Sequence, residues 1–140
     1  MKIAFRRITK EDVDYLLTTK PTPKDWIKIL SEWREWHAKQ VGIETQNLDS
    51  ALDADGPSFK WWYYLHCVHL HETYVQLYQA LIGAADATIR DMFDQAKDAE
   101  ALVDFSYKKW RQSTYHLEMT AALEAAQAKR EAMPAKLVCA

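Results

Sequence analysis

One run of the chain, WWYYLHCVHLHETY from Trp61 to Tyr74, gathers most of the side chains able to do chemistry: three imidazoles at His66, His69 and His71, a thiol at Cys67 and a carboxylate at Glu72. On a helix the three-residue spacing of His66, His69 and Glu72 aligns them along one side. Two imidazoles and a carboxylate are a ligand set for zinc or iron. Helical bundles that hold such ions draw ligands from at least two helices, commonly through paired Glu-x-x-His segments. Here the order is reversed, His69-x-x-Glu72, and occurs once. Of the remaining candidates, His116 and Glu118 lie two apart and point to different faces, and His37 stands alone. The expected reading is a polar face with no metal and no cofactor, His66, His69 and Glu72 being the residues a metal would use.

His71 falls on the opposite, apolar half of the same helical wheel with Phe59, Tyr63, Cys67, Leu70, Tyr74, Leu77, Tyr78 and Leu81. It is expected to be a neutral core residue, its ring nitrogens satisfied by a carbonyl or a tyrosine hydroxyl. Cys67 shares that half, and burial there raises a thiol's pKa and leaves it inert rather than nucleophilic. No Gly-rich phosphate loop, Gly-x-Ser-x-Gly elbow or HExxH motif occurs, so the chain is read as non-enzymatic.

The elements that must carry these residues are helices. The 140 residues include only three glycines and four prolines, and Ala, Leu, Glu, Lys and Gln are abundant. Thr9 with Glu11 and Asp12 predicts a cap and a short helix from Lys10 to about Thr18. Thr22-Pro23-Lys24-Asp25 predicts the start of a second, in which Trp26, Ile29, Leu30, Trp33, Trp36, His37 and Val41 form one apolar stripe, with Gly42 as its stop. ETQNLDSALDADG, Glu44 to Gly56, loses that periodicity and is expected to be a loop. Pro57 and Ser58 open the central helix, which runs to Ile82 with a bend at Gly83. Beyond it Ala85, Ile89, Met92, Ala96, Ala99, Val103, Tyr107, Trp110, Thr114, Leu117 and Ala121 keep a seam of three-four spacing, with a break expected near Asp94 to Asp98. Lys2 to Arg7 is the one segment that could be an edge strand. The fold class is all-α: an irregular four- to five-helix bundle in one domain spanning 1–140, with an aromatic-rich central helix, long C-terminal helices and a loose tail over 134–140.

Eighteen basic against twenty acidic residues give a formal charge of −2, too little to draw the whole chain onto nucleic acid or anionic lipid. Basic clusters at Lys2, Arg6, Arg7 and Lys10, and at Lys108, Lys109 and Arg111, read as ordinary surface, so direct nucleic-acid binding is not expected. No apolar run reaches membrane-spanning length. Cys67 and Cys139 lack a Cys-x-x-Cys spacing and no secretory signal opens the chain, which places it in the cytoplasm. Asp91, Asp94 and Asp98 share one helical face, the strongest part of an acid strip that also includes Asp86, Glu100 and Asp104. Six tryptophans and seven tyrosines supply amphipathic area suited to cores and interfaces alike.

By elimination the function expected is binding: a rigid aromatic-cored bundle presents Trp36, Trp61 and Trp62 as anchors, with Asp91, Asp94 and Asp98 as a charged rim, to a larger protein partner. One concrete version is an inhibitor of phage or mobile-element type that blocks a nucleic-acid-processing complex, an analogy of size and helical character with anti-CRISPR proteins that no residue carries. The alternatives are a homo-oligomeric assembly component and a metal-binding bundle using His66, His69 and Glu72.

Overall fold

The computed structural model describes residues 6–19, 21–83 and 88–132, without the side chains of 114 and 115. Lys2 to Phe5, Ala85, Asp86, the 134–140 tail and Cys139 lie outside the described residues. Helices α1 (Lys10–Thr18), α2 (Lys24–Asp55), α3 (Phe59–Ile82), α4 (Ile89–Trp110) and α5 (His116–Glu131) follow one another, the last two joined by a π-helical turn over Arg111–Tyr115. No strand occurs among the described residues, and Arg6 and Arg7 lie in irregular backbone.

The caps form where the sequence placed them, with one exception. Thr9 Oγ1 accepts from Asp12 N while Asp12 Oδ2 accepts from Thr9 N, both at 3.2 Å, a reciprocal capping box. Ser58 Oγ accepts from Trp61 N at the start of α3. Thr22 does not cap α2; Pro23 holds the N-cap position, and the Thr22 hydroxyl donates instead to the Leu81 carbonyl, tying the start of α2 to the end of α3.

Two expected interruptions are absent. The predicted loop from Glu44 to Gly56 is helix as far as Asp55. The apolar stripe continues through it at Val41, Glu44, Asn47, Leu48 and Ala51, all at least partly covered. Because two of those positions are polar, the hydrophobic periodicity vanishes from the sequence while the packed face persists. Gly42 is therefore an exposed interior position and not a stop; the chain stops at Gly56, whose φ of 66° and ψ of −158° suit glycine alone. The expected break near Asp94 to Asp98 is likewise unbroken α4. Ala96 in its middle is fully buried, so packing holds the backbone there.

The interruption falls at the π turn instead. One extra residue in that turn rotates the seam away from the bundle: Ile89, Ala96, Ala99 and Val103 are buried and Tyr107 and Trp110 partly so, whereas Leu117 and Ala121 are exposed, and α5 has no buried residue. From Ile89 to Glu131 this rod runs about 65 Å at 1.5 Å per residue.

α3 is the spine. It packs against α2 on one side and α4 on the other, which explains why its apolar surface wraps so far round. Leu70, Tyr74, Leu77 and Tyr78 are fully buried. Ile8, Val13 and Leu16 from the N-terminal segment and α1 close the same core. No described helix is long and apolar enough to cross a membrane.

The two helical glycines should respond oppositely to alanine. A Cβ at Gly42 meets nothing within 4 Å, so Gly42→Ala is expected to raise unfolding free energy by about 0.5–1 kcal/mol. Gly56→Ala should cost about 1–3 kcal/mol because the left-handed φ is closed to a side chain. Denaturant melts of both variants check the pair.

Candidate functional site

His71 is buried as expected, but its partner is a second histidine. His37 on α2 and His71 on α3 approach through their Nδ1 atoms at 2.7 Å, and His37 Nε2 lies 2.8 Å from the Arg6 carbonyl oxygen. A carbonyl can only accept, so His37 carries its proton on Nε2. Its Nδ1 is then the acceptor, and His71 supplies the proton between them. The Tyr78 hydroxyl donates to the same Arg6 oxygen. His37 stacks on Tyr74 with centroids 4.8 Å apart, and Trp36 meets both imidazoles edge-on at 4.9 and 5.7 Å. Burial pushes each imidazole down to about 4, with the neighbouring ring adding to the effect at His71, so the pair is neutral at pH 7.

An ionic cluster lies beside it. The Glu100 carboxylate accepts from the Tyr74 hydroxyl, with Lys97 Nζ at 3.4 Å and Arg7 Nη1 at 3.7 Å. Lys97 also reaches the Ile8 carbonyl at 3.4 Å and stands 5.0 Å over the Phe93 ring. Residues 6–8 are thus held by α2, α3 and α4 together. Together these groups fasten the N-terminal segment. Sequence reasoning saw His37 and His71 separately, each on an apolar stripe. Their shared position on core faces of consecutive helices was the available signal.

The other candidates separate into distinct places. Trp36 is half-buried in the histidine cluster, with the Arg6 guanidinium 5.9 Å from its ring centre. Trp61 and Trp62, by contrast, line an open cleft of ≈ 410 Å³ with Pro57, Ser58 and Phe59, at the bend between α2 and α3. Trp62 is 43% and Phe59 46% exposed. Phe59, read as core from the wheel, is exposed because it opens α3 at the bend. Asp91, Asp94 and Asp98 are all exposed on α4, well away in sequence and element from the cleft.

His66 packs edge-on against Trp62 at 4.8 Å, and its enclosed Nε2 has no hydrogen-bond partner among the described residues. Burial and the neighbouring His69 lower its pKa. His69 and Glu72 are exposed on the same helix. Among the described residues no group of three or more His, Cys, Asp or Glu side chains could hold one metal ion. Cys67 is a buried free thiol pushed up to about 12, chiefly by burial, with a hydrogen bond to Tyr63 opposing. Trp110, beside the basic cluster of Lys108, Lys109 and Arg111, is stacked on Tyr63 at 5.2 Å.

The histidine pair sets an acid limit on the fold. Both imidazoles have folded values below the ordinary 6.5, so unfolded chains bind more protons in between. Their contribution is complete above about pH 6.5 and is lost as pH falls toward about 4. Denaturant melts across that window should show stability declining, with a shallower slope in His71→Leu. Set against protein-family models, the curated proteins and the solved structures, the chain matches none.

Proposed function

We propose that this protein is a non-enzymatic interaction module that binds a larger protein partner through the aromatic cleft at the α2–α3 bend. The observation that carries this reading is the exposure of Phe59 and Trp62 around a preformed depression, with Trp61 and Pro57 completing its walls. Tryptophans in such clefts are the residues most often found to dominate binding energy, because they bury large area at little entropic cost. The cleft stands on a fixed base: Ser58 caps α3 directly beneath it, and Gly56 terminates α2. Asp53 and Asp55, in the turn of α2 that precedes the cleft in the chain, are exposed. The fitting partner offers an apolar or aromatic side chain, and basic residues beside it would be favoured by these nearby carboxylates. Inhibition of a nucleic-acid-processing complex is one function of this kind. A cytoplasmic setting suits the free Cys67 thiol.

Asp91, Asp94 and Asp98 stand on a different element and are not needed for this contact. Affinity capture with the intact chain as bait, compared with Trp62→Ala, tests the proposal. The variant should lose its partner by roughly thirtyfold, the cost of a central aromatic anchor, while melting within about 1 kcal/mol of the parent because Trp62 is 43% exposed and lies outside the buried core. Equal binding by Trp62→Ala would remove the cleft from the account.

A further inference from the structure

The face of α4 turned away from the bundle has an order that its solvent exposure does not explain. At 100° per residue, Asp91, Asp94, Asp98, Leu102, Phe105 and Lys109 lie within about 80° of arc. All six are exposed, Leu102 at 44% and Phe105 at 53%. The buried side of the helix, Phe93, Ala96, Ala99 and Val103, is opposite. Read along the helix, the outward stripe goes from acidic through apolar to basic. The charge gradient alone suits the α4 dipole, acids near its N-terminus and lysines near its C-terminus. The dipole gives no reason for a leucine and a phenylalanine between them, on the side that faces water.

We infer that this stripe is a docking surface for a second copy of the chain, with the two α4 helices antiparallel. A twofold axis passing between Val103 and Asp104 sets Leu102 of each copy opposite Phe105 of the other, and Asp98 of each opposite Lys109 of the other, so every contact is made twice. The same residues fit no parallel arrangement, in which acid would face acid and lysine face lysine. The Lys109 ammonium already sits 5.7 Å from the Phe105 ring, so one side chain covers the aromatic and meets the facing carboxylate. The arrangement centres the two apolar side chains and rims them with complementary charge, the layout of a specific interface. A single helix pair of this length belongs to the small, reversible class of association. The α2–α3 cleft takes no part, so this dimer and the foreign-partner reading succeed or fail separately.

Analytical ultracentrifugation of the full chain over a concentration series tests it, with circular dichroism of each variant confirming the helical fold. The wild type should show reversible monomer–dimer exchange. Phe105→Glu should weaken dimerisation at least about thirtyfold, and Asp98→Lys or Lys109→Asp alone on the order of tenfold, since each reversal turns two attractions into repulsions. The combined Asp98→Lys/Lys109→Asp variant should return to within about threefold of wild type. A wild-type chain that stays monomeric at about 1 mM overturns the proposal, as does a dimer that the double reversal fails to restore. A monomer whose Asp91, Asp94 and Asp98 bind polylysine assigns the stripe to a foreign basic partner and also overturns it.

Discussion

The hydrogen bond between His37 and His71 is the constraint around which the bundle is arranged. Two imidazoles in an apolar core are costly unless every buried nitrogen is satisfied, and charged ones are costlier still. Both nitrogens of His37 and Nδ1 of His71 are met in this way, by donation outward to the Arg6 carbonyl through His37 Nε2 and inward between the Nδ1 atoms. α2 and α3 are thereby fixed in register at the level of residues 37 and 71. The irregular N-terminal segment becomes part of the core: Ile8 is fully buried, and the carbonyls before and at it are taken up by His37, Tyr78 and Lys97.

That internal arrangement explains how the histidine-rich run serves as the spine of the bundle. Its members divide by direction. His71 and Cys67 face the core, where burial disfavours the imidazolium and the thiolate; His69 and Glu72 face solvent; His66 is wedged against Trp62. Side chains close in sequence are therefore dispersed in space, and the surfaces proposed above for recognition lie elsewhere, at the bend between α2 and α3 and on the outer stripe of α4.

Local signals were legible where local physics decides. The Thr9–Asp12 capping box, the Ser58 cap and both ends of α3 follow from residue type and spacing within a few positions. The continuation of α2 past Gly42 was hidden because Glu44 and Asn47 occupy its packed face. Burial raises the pKa of Glu44, against the hydrogen bond from Asn47, and tertiary packing overrode the polar pattern. The π turn has no sequence signature of its own, since RQSTY contains no glycine or proline to mark it. Of the candidate residues, the common face of Asp91, Asp94 and Asp98 could be read from spacing alone, whereas the half-burial of Trp36 against the histidine pair and the place of Phe59 in the cleft depended on which helix lies across each. Leu102 and Phe105 stand three apart on an otherwise charged face, a spacing present in the sequence but masked by the acids on either side of them.

The single additional residue in the turn over Arg111–Tyr115 is what aims α5. Excising one residue there would let the rod relax into uninterrupted α-helix with α5 keeping nearly its present facing, because the wide turn absorbs just the residue removed. Closing the turn into α-helix at unchanged length would instead swing every α5 side chain by about 100° about the axis, so the width of this one turn decides what the arm presents.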